Sequence, residues 1–594
     1  MTEPLNLNKT VAIFWLITII VLTFAFLRFS TDYVGTDNDD VLRLVQVRDF
    51  LSGQSWFDLQ QYRLGLDGGT LMHWSRLIDA PIAFLIAVFS NFTQAETAEA
   101  IALFIWPLLT TLPVIYGFAA ASGAISGQKG VVIGAFGAIA FIFGSGKFAP
   151  GAIDHHNVQL AIFALITAIL LYKNYPWISY AFAGFLSALA LAIGAETTPL
   201  IAAVCAIIAV TWAWYGGKTL RRPARIFSLS MGLSLTLIFF GTTPPHLYGH
   251  VVCDTLSMGF YALGITGSAG LFFAAALLSY QSRIIRFISL GAIGGAVIVV
   301  ALIVAPQCLQ SPLASLDPLL VEMWLNNITE AQSILILLNV KPWSALGYYM
   351  VPLLSIVLCI VKISKRQQAE QHLKLLVLII LATAISLLQV RAMIFSNLIA
   401  MIPMLALVSV LRAKTHLEPK NVKFAATFIL SAFVSVPIFW MMIGTGLTKL
   451  SAGEINTAPK TQTAEKLQNS CTTAGAYEIL ANEPKGVVSG PSNLGASILR
   501  FTHHRAIAGP YHRNQSGLLT EIKSSLATPL EAEKILKDAK VTHIAFCTLD
   551  PQVTLTARKA GDGLYANLAK GVIPDYLEVM DETANSALQI YRLK

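Results

Sequence analysis

Long uninterrupted apolar runs fill the first three quarters of the chain, and no other feature restricts its fold so strongly. An α-helix needs about 20 mostly apolar residues to cross the hydrocarbon core of a bilayer. Runs of that kind fall near 11–29, 98–120, 130–146, 157–173, 177–194, 199–216, 227–242, 258–279, 287–305, 345–363, 374–390, 392–411 and 423–444. They predict a polytopic α-helical membrane protein with about thirteen spanning helices. The segment Pro81–Ser90 is too short to span and is expected in an external loop. No small-residue cleavage site follows the first run, which is therefore expected to stay as a helix. Only 12% of the residues are charged, against roughly 25% in a soluble domain. The net charge of +8 comes from Lys and Arg in short loops between apolar runs, the habit of a bilayer-embedded protein and not of a nucleic-acid binder.

Those loops orient the bundle. Lys218, Arg221, Arg222 and Arg225 share one loop, Arg283 and Arg286 the next but one, Lys362, Lys365, Arg366 and Lys374 another, and Arg412, Lys414, Lys420 and Lys423 the last. Basic loops face the cytoplasm, so residues 30–97, 147–156, 243–257, 306–344 and the tail are expected on the other side, with the N-terminus cytoplasmic. Residues 1–445 form the expected membrane domain and 446–594 a periplasmic domain. In the tail, Gly486-Val-Val-Ser489 and Val541-Thr-His-Ile-Ala-Phe546 read as strands and Glu531–Lys540 as a helix, which predicts a small α/β domain. Cys471 and Cys547 lie in this tail and are either a disulfide or two separate buried thiols.

Polar residues concentrate on the external side. The first loop opens Gly35-Thr-Asp-Asn-Asp-Asp-Val-Leu-Arg43, which sets Asp37, Asp39 and Asp40 at the membrane surface. One acid would serve as a helix N-cap, but three exceed that need and suggest cation or proton chemistry. The second loop carries Asp154, His155, His156 and Asn157, oxygen and nitrogen donors fit for a metal or phosphate. Capping by Asp154 is the plainer alternative. Glu330 lies in the fifth external loop, and Arg391 stands between two apolar runs, where a guanidinium meets a partner or a cavity. Glu196 lies between two predicted helices, either lining a donor cavity or solvated. His73, Trp74 and Arg76 offer ring and charge to a sugar or phosphate, or anchor the interface. Tyr511, His512 and Arg513, in Gly509-Pro-Tyr-His-Arg-Asn514, contact substrate or only shape a loop.

At these residues the chain resembles the GT-C superfamily of membrane glycosyltransferases, above all the catalytic subunit of oligosaccharyltransferase. That family has thirteen spanning helices and an external domain. Its first loop carries an Asp with an Arg six residues on and a later Trp-Phe-Asp; Asp37, Arg43 and Trp56-Phe57-Asp58 are similar. Its second loop carries an acidic metal-binding pair, matched here by Asp154 and His156. Its fifth-loop Ser/Thr-Glu element is similar to Thr329-Glu330, and its late Val-Arg element to Val390-Arg391-Ala392-Met393. The resemblance covers residues 1 to about 445 and implies transfer of a sugar or oligosaccharide from a polyprenyl-phosphate or -diphosphate carrier to an extracytoplasmic acceptor: a protein, a lipid or a glycan. It implies Asp37, Asp39, Asp40 and Glu330 as catalytic acids, and Asp37, Asp154, His156 and Glu330 as ligands of a divalent cation, Mg or Mn. Arg391, His155 and Arg43 would bind donor phosphate. His73, Trp74, Arg76, Asn157, Glu196, Tyr511, His512 and Arg513 remain as possible substrate contacts. Two departures stand out: a histidine replaces the second acid of the pair, and the tail lacks the Trp-Trp-Asp-Tyr-Gly element that reads the family's acceptor. The expected site of action is a bacterial inner membrane. A transporter or flippase for a lipid-linked glycan is the alternative, disfavoured because no internal repeat is visible and the acids gather at one surface. A non-catalytic scaffold would leave the acids and histidines unexplained.

Overall fold

The computed structural model describes residues 6–310, 313–451, 470–584 and 586–594. Among them, ten helices are long and apolar enough to cross a membrane: Leu7–Phe29, Ala95–Ser126, Gln128–Ser145, Ala195–Tyr215, Gly217–Thr242, Met258–Leu277, Arg283–Val304, Ser344–Ser364, Ala369–Leu388 and Val390–Leu417. The other three expected spans are present in altered form. His156–Leu171 and Trp177–Ile193 are apolar but shorter, and the last span is a pair, Val422–Val434 and Pro437–Leu450, bent by 79°. Pro437 cannot donate to the helix ladder, which accounts for the break. Pro81–Ser90 falls largely within the helix Arg76–Phe89, which buries Ile78, Ile82 and Ile86 on one face and exposes Phe84 on the other.

The chain divides into two compact units. The membrane unit is Met1–Val34, Trp74–Pro312 and Glu330–Ala452; the second is Gly35–His73, Leu313–Thr329 and Gly453–Lys594. The second unit contains no spanning helix among its described residues, so its three stretches lie on the same side of a bilayer. The chain must then cross an even number of times between them. Eight apolar helices separate His73 from Leu313, counting the two short ones. Four separate Thr329 from the tail if the bent pair crosses once. Counted as one span, the bent pair gives eleven candidate spans among the described residues, and the two shorter apolar helices would complete the thirteen read from the sequence.

Within the membrane unit, Val390–Leu417 is the most enclosed span, with 83% of its apolar window buried, whereas none of the window of Arg283–Val304 is buried. Helices meet closely where glycine permits. A Cβ at Gly117 would come within 2.5 Å of the Ala164 backbone, so Ala95–Ser126 and His156–Leu171 touch almost backbone to backbone. Lipid gives helices no hydrophobic reason to associate, so such close packing carries much of the attraction. Gly127, at φ +69°, makes the turn between Ala95–Ser126 and Gln128–Ser145. A disulfide joins Cys253 to Cys308, while Cys205 and Cys359 stay free within helices.

The second unit is α/β. Its five-stranded sheet runs Arg505–Ala506, Val487–Ser489, His543–Cys547, Leu588–Leu593, Leu577–Val579. The first three strands are parallel and the last two antiparallel to their neighbours. The expected strands and the expected helix are there, the latter as Pro529–Asp538. Cys471 and Cys547 form a disulfide. Two stretches distant in sequence complete this body. Leu64 bridges in parallel to Ala506, with Gly65 N–H donating to Ala506 C=O at 2.8 Å and Ala506 N–H to Arg63 C=O at 2.9 Å. Leu320, Met323 and Trp324 enter the same apolar core as Leu518, Ile522, Ile544 and Phe546. Each buried side chain of this size contributes roughly 1.5–3 kcal/mol. The exposed Asp67 carboxylate meets Arg505 at 2.6 Å and Lys540 at 2.7 Å; solvated pairs of this kind add little, so ladder and core hold the stretch.

Candidate functional site

One end of the membrane unit holds a cluster of acids and histidines. The short connection after Gln128–Ser145 delivers Asp154 and His155 to the start of the helix His156–Leu171. His155 is that helix's N-cap residue, with helical backbone and no side-chain cap. Asp154 therefore does not cap the helix. Its Oδ1 instead accepts from the His155 backbone N–H at 2.7 Å and lies 2.5 Å from His155 Nδ1, while Oδ2 bonds His156 Nδ1. Asp154 and His155 are buried and His156 is half-buried.

The chain of contacts continues to a residue 41 positions away. His155 Nε2 lies 2.8 Å from Glu196 Oε1, and Gln159 Nε2 donates to the same oxygen at 2.7 Å. Gly194 makes room for this arrangement: a Cβ there would sit 2.5 Å from Glu196 Oε2 and 2.6 Å from Gln159 Nε2. Arg391 bears electrostatically on Glu196. Beside it, Val390 N–H donates to Gln332 C=O at 2.9 Å, which ties the Glu330 turn to the Arg391 turn. The structure thus brings Asp154, His155, His156 and Glu196 into direct contact and sets Arg391 and the Glu330 segment within the same unit.

Burial opposes charge on Asp154 and His155, yet the pair overcomes it. The two imidazoles hold the Asp154 carboxyl well below the usual carboxylate range. The Asp154 and Glu196 carboxylates raise His155 well above the ordinary imidazole value. One carboxylate and two imidazoles, with ligand atoms within 4.8 Å of one another, form a donor set able to hold a metal ion. Nearby, the buried Asn157 Oδ1 and Gln159 Oε1 have no hydrogen-bond partner among the described residues. The residues fit a divalent cation: imidazole suits a borderline ion such as Zn, and the Asp154 carboxylate also accepts a harder ion such as Mn or Mg.

Asn157 otherwise serves the loop, donating to Ala152 C=O at 2.9 Å. Trp74 is buried, and Arg76, the first residue of the helix Arg76–Phe89, is buried in an ion pair with Asp79 at 3.2 Å.

The remaining candidates belong to the second unit. Asp37 is the N-cap of the helix Asn38–Leu51, accepting from Asp39 N–H at 3.2 Å. Asp39 and Asp40 follow in its first turn, and Arg43, one turn beyond Asp40 on the same face, is fully buried. The motif Gly509–Asn514 fastens this stretch to the sheet. Tyr511 Oη donates to Asn38 C=O at 2.9 Å, Arg513 reaches Met72 C=O at 3.3 Å, and the His512 ring lies 4.7 Å from that of His73. Sequence reading placed Glu196 in reach of the site without its partners. The available signal was its isolation, as the lone acid between Asp154 and Asp254.

The apolar helices define a multi-pass membrane fold, with this cluster of acids and histidines at one end of the bundle. The solved structures that share its fold include an archaeal oligosaccharyltransferase, AglB from Archaeoglobus fulgidus. In complex with an inhibitory peptide and a dolichol-phosphate, that protein aligns with a TM-score of 0.62 at 15% identity, over 96% of this chain and 72% of its own. Its apo form gives 0.66 at 15% identity over 97% and 73%, and its complex with Zn and sulfate 0.61 at 15% over 94% and 70%. No protein-family model and no curated protein matches the chain. Identity at this level establishes a shared fold and leaves the activity to be argued from the site.

Proposed function

We propose that the chain is a glycosyltransferase that moves a sugar or oligosaccharide from a polyprenyl-phosphate or -diphosphate carrier to an acceptor outside the cytoplasm. The observation that carries this reading is the Asp154–His155–Glu196 chain, buried at Asp154 and His155 and with His156 beside it, in a fold shared with an oligosaccharyltransferase. The dolichol-phosphate, Zn and sulfate held by the archaeal neighbour motivate a lipid-linked donor and a divalent cation here as well.

Asp154, His155 and His156 would hold the cation, which when bound spreads the negative charge growing on the leaving phosphate. Arg391 presents its planar fork to phosphate oxygens. Glu196 and Gln159 fix the His155 ring by hydrogen bonds to its far nitrogen and to each other, the outer support that metal-binding imidazoles need. The acceptor attacks the anomeric carbon, the carbon–oxygen bond to phosphate breaks, and the bonding pair leaves with the carrier phosphate. Glu330 receives or orients the acceptor proton. Both disulfides join segments on the side assigned to the non-cytoplasmic face, where thiols oxidise. A bacterial inner membrane with the N-terminus cytoplasmic fits that assignment.

The test is transfer by the purified chain in liposomes, with a labelled polyprenyl-linked sugar and Mn. Chelation should abolish transfer, and Asp154→Ala, His156→Ala and Arg391→Ala should each reduce it at least tenfold. Full transfer by all three variants would overturn the assignment. Asp37→Ala and Glu330→Ala in the same assay report on the remaining acids.

A further inference from the structure

The opposite end of the membrane unit carries an organised set of cations that the transfer reaction does not use. Between Glu196 and Asp317 the sequence contains a single acid, Asp254. Asp254 lies beyond the far end of the helix Gly217–Thr242, about 39 Å of helix from the basic residues at its start. Those residues are seated on aromatic rings. The Arg222 guanidinium lies 4.1 Å from the Trp177 ring, Arg283 4.1 Å from Trp214, and Arg225 5.2 Å from Phe272. Stacking fixes a guanidinium while leaving hydrogen-bond donors at its edge.

The neighbouring cations show what structural use would look like. Arg286 is buried and donates to the carbonyls of Ala213 at 2.8 Å and Gln281 at 2.6 Å. Lys374 pairs with Glu370 at 2.7 Å, and that carboxylate also accepts from Tyr175 and Tyr215. Lys218, Arg222, Arg225 and Arg283 have no carboxylate at ion-pair distance among the described residues, and Arg283 spends only its Nε, on Trp214 C=O at 3.2 Å, which leaves its terminal nitrogens for a ligand. Arg225 Nε is buried without a hydrogen-bond partner, while Lys218, Arg222 and Arg283 are exposed.

We infer that this surface binds the headgroup of an anionic phospholipid. Charge complementarity supplies the headgroup site, and the flanking helices supply the rest of the match. The apolar windows of Met258–Leu277 and Arg283–Val304 are only 17% and 0% buried, and Ile284 and Ile288 stand exposed just inside Arg283. A phosphate on the guanidinium edges would place its acyl chains along these sides. Basic pockets between spanning helices recognise anionic headgroups in this way, and a soluble protein would leave the apolar sides unmatched.

The experiment is native mass spectrometry of the full chain in detergent, titrated with phosphatidylglycerol or phosphatidylethanolamine. Phosphatidylglycerol should bind preferentially. Replacing Arg222, Arg225 and Arg283 together by Gln should weaken it about 100-fold, at roughly 1 kcal/mol for each basic group. The single variants Arg222→Gln and Arg283→Gln, both at exposed positions, cover the case in which the triple variant does not fold. An Arg412→Gln, Lys414→Gln, Lys420→Gln variant should retain the preference. Equal binding of both lipids, equal losses in the two triple variants, or undiminished binding by the folded substituted chain would each overturn the inference.

Discussion

Replacing Glu196 by Gln tests whether the carboxylate works through His155. The substitution keeps the shape and an oxygen for Gln159, but removes the charge facing His155 Nε2 at 2.8 Å. A hydrogen bond to a charged partner contributes about 1.5–3 kcal/mol, which corresponds to roughly 10–150-fold in an equilibrium. Outer-shell partners of metal-binding histidines have effects of about 10–100-fold on metal affinity, the same range from an independent direction. The loss should fall on the cation. In a transfer assay with graded Mn, the half-activating concentration should rise about 10–100-fold, while the rate at saturating Mn stays within about threefold, because no reacting atom has been touched. Glu196→Asp, with a shorter carboxylate, should recover part of the affinity. An unchanged Mn midpoint with a collapsed saturating rate would refute the positioning role and make Glu196 a direct participant. No effect on either quantity would detach Glu196 from the site altogether.

Cation activation should strengthen with pH. His155 is raised by its carboxylates, so the proton that a metal must displace is held tightly, and the Mn midpoint should be higher at pH 6 than at pH 8; a midpoint independent of pH would contradict a histidine-bearing site. In the second unit, burial pushes the Glu521 carboxyl up to about 8. Its folded pKa exceeds its unfolded one, so its stabilisation is complete below about pH 4 and declines as pH rises toward 8. Glu521→Gln should therefore raise the thermal midpoint of the full chain at pH 8 and leave it nearly unchanged at pH 4; equal shifts at both would exclude titration as the cause. Removing the disulfide by Cys471→Ser with Cys547→Ser should destabilise the second unit by about 2–4 kcal/mol for a loop closed across 76 positions. Denaturant unfolding read from that unit would show it, and a change under about 0.5 kcal/mol would mean the reduced chain gains little freedom.

The spans were legible in the sequence because a run of apolar residues is a local signal that only a bilayer rewards. Even so, the run at 157–173 could not show that its helix would be a short one starting at His156. The acids, histidines and Arg391 were legible as residues too costly at a membrane surface to be idle. Their partners were not. Nothing near Glu196 announces His155, because the contact depends on how Trp177–Ile193 returns to the same end of the bundle as the Asp154 turn. Asp37 shows the reverse case. Its sequence context suggests a catalytic acid, and the structure gives it the plain work of a helix cap. The motif Gly509–Asn514 was opaque for the same reason as Glu196. Tyr511 acquires its meaning only from Asn38, 473 positions earlier.

That long-range closure has a consequence for how the protein is made. The stretch Gly35–His73 reaches its side of the membrane early, but the sheet it joins is incomplete until Leu588–Leu593 inserts between His543–Cys547 and Leu577–Val579. At roughly 5–20 residues per second, the ~500 residues between them occupy the ribosome for about half a minute to two minutes. Until Ala506 has been made, the strand edge at Leu64 has no ladder partner. A cell making this protein must shelter that segment from wrong partners until the final strand arrives.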